Sequence, residues 1–322
     1  MSEPTDPLAE VVTLLQPAAR YTKYVQGSGA WRVQRSRPEL AFYCAVLEGS
    51  CRLEPAAGPA ILLEAGDFVL APALHGFALT SLHTNDATLL DESNPPPLLP
   101  DGRYHLGTPG GPAEVQLVAG HCVFESPDSV LLVSLLPDLV VVRAHTRLAT
   151  LVQLVGDESR AQRPAREVVL ARLLEVLLIE ALRSSNDPTV AASPGLLRGL
   201  ADVRLAQAIR ALHAQPAQDW NVPRLARVAA LSRSSFFERF RREVGLTPMD
   251  YLLAWRMALA KRLLLRAEGS IAEVALQVGY SSASTFSVAF SRHVGLPPSQ
   301  FVQQQRRQQP EAAQAAQAAQ AA

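Results

Sequence analysis

The spacing of apolar residues changes along this chain, and the change predicts two kinds of structure. From Trp31 to about Cys122 the chain predicts short strands, with apolar runs at 42–47, 51–54, 60–64, 68–71 and 77–82. The segments between these runs predict turns, at 48–50, 57–59, 65–67 and 72–76. Short strands at this spacing with Gly and Pro turns indicate a sandwich or barrel. A short helix is predicted over 6–15, and after Pro137 the spacing becomes helical.

Two similar helical units are predicted in the C-terminal third. Residues 222–226 correspond to 271–275, and Ser232, Phe236 and Phe240 correspond to Ser282, Phe286 and Phe290. Each unit predicts a short helix, a turn (230–231 or 279–280), a serine N-cap and a second helix. This order is the helix-turn-helix plan.

The second helix of each unit has one apolar face and one face available for DNA. At 100° per residue, one face carries Phe236, Phe240 and Val244, or Phe286, Phe290 and Val294. The opposite face and its flanks give the candidate DNA-contacting residues: Arg233, Ser234, Phe237, Glu238, Arg241, Arg242, Ser282, Ser284, Thr285, Ser287, Val288, Ser291 and Arg292.

A long helix is predicted between the two units, opening at Pro248 and ending near Leu265. At 1.5 Å per residue it measures ~27 Å. A spacer of that length would let two recognition helices enter successive major grooves, ~34 Å apart on one face of the duplex.

The formal net charge of the 322 residues is zero, but the charge is unevenly distributed. Residues 1–201 carry 15 Lys and Arg against 22 Asp and Glu, a net charge of −7. Residues 202–307 carry 15 against 7, a net charge of +8, so only the C-terminal third suits a polyanion. Ordinary amphipathic helices of an all-α domain are the alternative interpretation of the helical pattern alone.

The repeated region resembles the AraC-type transcriptional regulators. The matching segments are 232–240, 244–248, 256–264, 271–275, 278–280, 286–290 and 295–298, all correctly spaced over about 80 residues. The resemblance implies sequence-specific binding to double-stranded promoter DNA, contact with RNA polymerase and a homodimer. Glu238 and Val288 occupy positions where the family often has Arg, so base preferences do not carry over from relatives.

The strand region resembles the cupin barrel of AraC-type sensors. Gly66, Pro72 and His75 resemble the second cupin motif, whereas the two His and the Glu of the first motif are missing from 42–48. Cys44 lies near a ligand position there, so Cys44 and His75 are candidates for an effector pocket. The alternative is a buried cysteine acting as a small hydrophobe beside a histidine at the rim. We predict no metal site and no cofactor, because a metal needs three or four convergent ligands.

The remaining sequence features indicate a non-enzymatic cytoplasmic protein. Three cysteines without a signal peptide indicate a reducing compartment. The most apolar stretch, 168–182, is too short and too charged to span a membrane. Its stripe of Leu170, Leu173, Leu174, Leu177 and Ala181 is expected to pack on its own domain, with a dimer seam as the alternative. We find no motif of a catalytic site.

The predicted fold class is α+β: a cupin-like β-barrel with flanking helices, followed by an all-α domain with two helix-turn-helix motifs joined by a linker helix. The predicted boundaries are 6–183 for the sensing and dimerisation domain, 184–195 for a linker, 196–307 for the DNA-binding domain and 308–322 for a Gln/Ala tail. The expected function is a sequence-specific transcriptional regulator controlled by a small-molecule or redox signal. The alternatives are a cupin oxygenase or isomerase with a DNA-binding appendage, and an architectural protein that binds DNA without sequence choice.

Overall fold

A computed structural model describes residues 6–35, 40–74, 76–83, 87–91, 94–108, 110–161, 163–184, 194–305 and 307. His75, most of the predicted linker and the predicted Gln/Ala tail lie outside the described residues. The chain divides into two compact units, the first from Leu8 to Arg198 and the second from Gly199 onward.

The first unit is built on a sheet of ten strands in the described residues. These are β1 Pro17–Ser28, β2 Trp31–Arg35, β3 Ala41–Pro55, β4 Ile61–Glu64, β5 Phe68–Ala71, β6 Phe77–Thr80, β7 Thr88–Leu90, β8 Tyr104–Gly107, β9 Val115–Phe124 and β10 Val140–Val142. Hydrogen bonds join them in the order β7-β2-β6-β3-β9-β1-β8, with β4 on β3 and with β5 between β3 and β10. The result is a nearly closed barrel, which confirms the predicted fold class.

The prediction of a turn at 48–50 is wrong, because β3 runs through this segment without a break. The first part of β3 pairs with β5 and β9, and the second part pairs with β4 and β6. A register shift between Val46 and Glu48 marks the change of partners. Gly49 has φ +72°, and a Cβ there would lie 1.8 Å from the Glu114 carbonyl oxygen. This glycine therefore bends a strand around the barrel corner.

The barrel interior is filled by alternate side chains of the strands. Phe42, Cys44 and Val46 of β3 belong to this core, as do Trp31 and Val33 of β2. In β1, the face that carries Thr22 and Tyr24 packs against helical residues. Tyr24 donates a hydrogen bond to Asp157 at 3.1 Å, and Ser159 donates one to Thr22 at 3.4 Å. β1 therefore has one face toward the barrel interior and one toward a helical layer.

The described helices are α1 Pro7–Leu15, α2 Ser129–Ser134, α3 Thr146–Arg160, α4 Arg166–Ser184, α5 Leu196–Ala201, α6 Val203–Ala214, α7 Val222–Val228, α8 Arg233–Val244, α9 Pro248–Leu265, α10 Ile271–Gln277 and α11 Ala283–Val294. The predicted change to helix after Pro137 comes too early, since β10 still pairs with β5 and completes the sheet. In α4, Leu170, Leu174, Leu177 and Ala181 are buried within the chain. No described helix has the length and apolar character needed to cross a membrane.

Both helical repeats of the second unit enclose aromatic cores. Phe236 and Phe240 of α8 are fully buried, with Tyr251 of α9 at 5.7 Å from the Phe240 ring. Phe286 and Phe290 of α11 are equally buried and pack with Met257 and Phe301. The long helix α9 thus contributes side chains to both repeats.

Candidate nucleic-acid interface

The first candidate recognition helix, α8, begins at the serine N-cap that its sequence predicts. The Ser232 hydroxyl caps it by accepting a hydrogen bond from the Ser235 amide at 3.2 Å. Gly245 ends it with φ +86°. Among the candidates, Arg233, Ser234, Glu238, Arg241 and Arg242 are exposed and Phe237 is half-buried. Ser234, Glu238 and Arg241 lie opposite the buried phenylalanines, so these three share one accessible side of the helix.

The basic groups of α8 differ in their surroundings. Arg242 pairs with the neighbouring Glu243 at 2.7 Å, and Arg239 donates to Asp202 in a contact that fixes α8 against the start of α6. Within the described residues, Arg233 and Arg241 make no ion pair. These two guanidinium groups are the most available on α8 for an external anion.

The second candidate helix, α11, repeats this plan with far less charge. The Ser282 hydroxyl accepts from the Thr285 amide at 3.2 Å, and Gly295 ends the helix with φ +84°. Its exposed candidates are Ser284, Thr285, Val288 and Arg292, whereas Ser282, Ser287 and Ser291 are half-buried. Val288 is 71% exposed. The Ser291 hydroxyl donates to the Ser287 carbonyl at 2.7 Å, so its hydrogen is engaged inside the helix.

The turns of the two units have the same backbone conformation but different residues. Ala230 has φ +50° and Gly279 has φ +85°, both left-handed. The Ala230 carbonyl accepts a hydrogen bond from Arg204 at 3.2 Å. A Cβ on Gly279 would lie 2.6 Å from Arg256 Nη2, so the second turn has no room for a side chain.

Arg256 of α9 links the two helix-turn-helix units, a role that was not predicted from the sequence. Its guanidinium donates to the carbonyls of Pro216 and Gln218, at 2.8 and 2.9 Å, just before the first unit. It also lies 6.0 Å from the ring centroid of Tyr280, in the turn of the second unit. Burial lowers the pKa of Arg256 from its ordinary value, while Tyr280 and Asp219 oppose the shift. The sequence gives little signal for this contact, because Arg256 is one of three basic residues in α9, together with Lys261 and Arg262.

Cys44, one of the two predicted effector-pocket residues, is fully buried in the barrel core. Burial raises the pKa of its thiol well above the ordinary value, and Cys51 adds to the rise. Burial also raises the pKa of Cys51 and of Cys122 to about 12. A pairing of Cys44 with His75 stays a prediction, because His75 is outside the described residues.

The barrel instead contains a cavity lined by side chains that the sequence analysis did not select. An inner chamber of about 30 Å³ adjoins an outer chamber of about 300 Å³. Both are lined by Tyr21, Lys23, Arg35, Pro96 and His121. The sequence signal for this cavity is a cation among the residues that alternate toward the barrel interior. It is Lys23 in Tyr21-x-Lys23-x-Val25 of β1, and Arg35 in Trp31-x-Val33-x-Arg35 of β2. The described residues contain no cluster of three or more potential metal ligands.

Comparison with known proteins gives matches to both the barrel region and the C-terminal helical region. Residues 6–187 match a protein family described as Cupin, and 225–304 match one described as Helix-turn-helix domain. A putative AraC-like transcription regulator of Streptomyces lividans is 34% identical over 301 residues, which is 92% of this chain and 97% of the relative. One from Streptomyces antibioticus is also 34% identical, over 92% and 98%. The HTH-type transcriptional regulator AlkR of Acinetobacter baylyi is 29% identical over 87% and 94%.

Proposed function

This chain belongs to the AraC-like transcription regulators, and on that premise we propose that α8 and α11 read a promoter sequence under the control of a small molecule in the N-terminal barrel. The observation that carries the DNA-binding part is the repeated helix: α8 and α11 bury matching phenylalanine pairs and expose their opposite sides. Two such helices on one spacer suit two successive major-groove segments.

Within each helix we propose a division between groups that read bases and groups that hold phosphates. Glu238 can accept a hydrogen bond from a cytosine amino group, and Val288 can contact a thymine methyl group. Arg233, Arg241 and Arg292 supply charge that is insensitive to base identity. Arg242 supplies a further charge of this kind once a DNA phosphate replaces Glu243 as its ion-pair partner.

For the regulatory part, the barrel favours a small molecule over a thiol-based redox signal. A reactive thiol needs access to solvent and a lowered pKa, whereas Cys44, Cys51 and Cys122 are buried with raised pKa values. The cavity at Lys23 and Arg35 has the size of a small-ligand site. By resemblance to the family, we further propose a homodimer that contacts RNA polymerase.

The test is selection of binding sites from random duplexes by the full chain and four variants. Glu238→Ala and Ser284→Ala should each change the base preference at one position. Arg242→Ala and Arg292→Ala, the matched controls in the same helices, should weaken binding to all sequences similarly. Unchanged base preferences in both Glu238→Ala and Ser284→Ala would contradict the assignment of base-reading groups. Binding that gains nothing from a selected site over bulk DNA would instead indicate an architectural protein.

A further inference from the structure

The cavity of the barrel places two cations together at the boundary between its chambers. Lys23 is in β1 and Arg35 is the last residue of β2, and both line the inner and outer chambers. The Lys23 ammonium lies 4.1 Å from the ring centroid of Tyr104 and 5.0 Å from that of Tyr21. The aromatic faces therefore stabilise one of the two charges.

The charges of Lys23 and Arg35 oppose each other. Burial lowers the pKa of Lys23, and the positive charge of Arg35 lowers it further. The Nε of Arg35 is buried without a hydrogen-bond partner among the described residues. Asp91 is the one carboxylate among the described residues of the lining, and it borders only the outer chamber. Two like charges held close together raise the free energy of the empty cavity. An anion bound between them would lower that free energy.

The rest of the lining is apolar and aromatic. Val25, Val33, Phe42, Leu79, Leu106 and Leu117 surround the inner chamber. The outer chamber, at about 300 Å³, is the one with room for a small ligand, and its apolar lining is Leu40, Leu74, Phe77, Pro95 and Pro96. A ligand of this site therefore needs a compact apolar body as well as an acidic group.

We infer that the effector is a small organic acid, bound with its carboxylate or similar acidic group at Lys23 and Arg35 and its ring or short alkyl chain in the outer chamber, against Tyr21, Phe77 and the other apolar residues there. This inference rests on the proposed function, since it names the ligand class of the proposed regulatory site. Arg35 offers the planar donor fork that matches a carboxylate, and Lys23 adds a point charge beside it.

The inference is tested by calorimetric titration of the full chain, free of DNA, with matched acid and amide probes: benzoate with benzamide, phenylacetate with phenylacetamide, and hexanoate with hexanamide. Phenylphosphonate and benzenesulfonate distinguish a carboxylate from other acids. The variants are Lys23→Met, Arg35→Met and the charge-retaining Lys23→Arg. Arg20→Met is the matched control, because Arg20 is an exposed cation of the same strand.

We expect at least one acid to bind at least about tenfold more tightly than its amide. Loss of one charged partner should weaken binding of that acid about tenfold or more in Lys23→Met and Arg35→Met. Lys23→Arg and Arg20→Met should keep affinities close to the wild type, and circular dichroism should show that all variants are folded. Amides that bind as tightly as the acids, no binding by any acid, or acid affinities of folded Lys23→Met and Arg35→Met that equal the wild-type affinity would overturn the inference. A neutral compound that binds the barrel and changes operator affinity would overturn it while leaving the proposed function intact.

Discussion

Replacing Gly279 by alanine should strongly destabilise the second helix-turn-helix unit, although the substitution adds only one methyl group. The equivalent position of the first unit is already an alanine, Ala230, with φ +50°. At Gly279, φ is +85°, and the new Cβ would lie 2.6 Å from Arg256 Nη2 and 2.9 Å from both Cα and O of Ala217. Backbone atoms at that distance do not move away as the end of a side chain does.

The expected cost of Gly279→Ala combines three contributions. A left-handed alanine costs about 1–2 kcal/mol, and the smaller entropy of the unfolded chain returns about 0.4–1 kcal/mol. Displacing Arg256 Nη2 also removes its 2.9 Å hydrogen bond to the Gln218 carbonyl, a charged donor worth about 1.5–3 kcal/mol. The sum is a loss of about 3 kcal/mol. The control Ala230→Gly relieves the left-handed strain and should stabilise the first unit by about 0.5 kcal/mol.

Amide hydrogen exchange of the full chain, resolved by peptide, measures both changes in one molecule. A loss of 3 kcal/mol corresponds to exchange roughly a hundredfold faster for protected amides of α10 and α11. Peptides from the barrel should not change. A cost below 1 kcal/mol for Gly279→Ala would refute the argument, because the turn would then accept a side chain next to Arg256. An Ala230→Gly variant that loses stability would refute the strain argument for the first turn.

The helical half of the molecule could be predicted in detail from the sequence, for a physical reason. Its contacts are largely local, so apolar spacing, serine N-caps and left-handed turns reveal both units without knowledge of distant residues. Ser232 and Ser282 are N-caps as predicted, and Phe236 and Phe286 are buried as predicted. Arg256 was missed, because its carbonyl partners precede it by 38 and 40 residues.

The barrel was predicted as a class, but its cavity was not. The segment Arg20–Gln26 of β1 is mostly polar and gives no apolar alternation, although its odd-numbered residues from Tyr21 to Val25 line the cavity. Their partners are set by pairing with β9 and β8, which are about 80–100 residues away in sequence. Register over such distances is fixed by tertiary packing. The resemblance to the first cupin motif makes Cys44 a candidate pocket residue, whereas the basic groups of the cavity belong to Lys23 and Arg35.

Three further measurements test the core and the DNA interface. Asp67→Asn should lower the free energy of unfolding by about 3 kcal/mol, seen as a lower Tm, because the buried carboxylate accepts two backbone amides and pairs with a basic side chain. Burial raises the pKa of the Cys51 thiol to about 12, so the thiol is protonated and unreactive at pH 8. Iodoacetamide should therefore label it only after unfolding in urea; rapid labelling of native protein would contradict the burial. The salt dependence of DNA affinity should differ between the recognition helices. Arg233 and Arg241 make no ion pair with described residues, whereas α11 contains a single arginine, the exposed Arg292. Each phosphate contact contributes about 0.9 to the slope of log affinity against log salt concentration. Replacing both α8 arginines by alanine should reduce that slope by about 2, and Arg292→Ala by about 1. An unchanged slope in the α8 double variant would mean that the phosphates bind elsewhere on the domain.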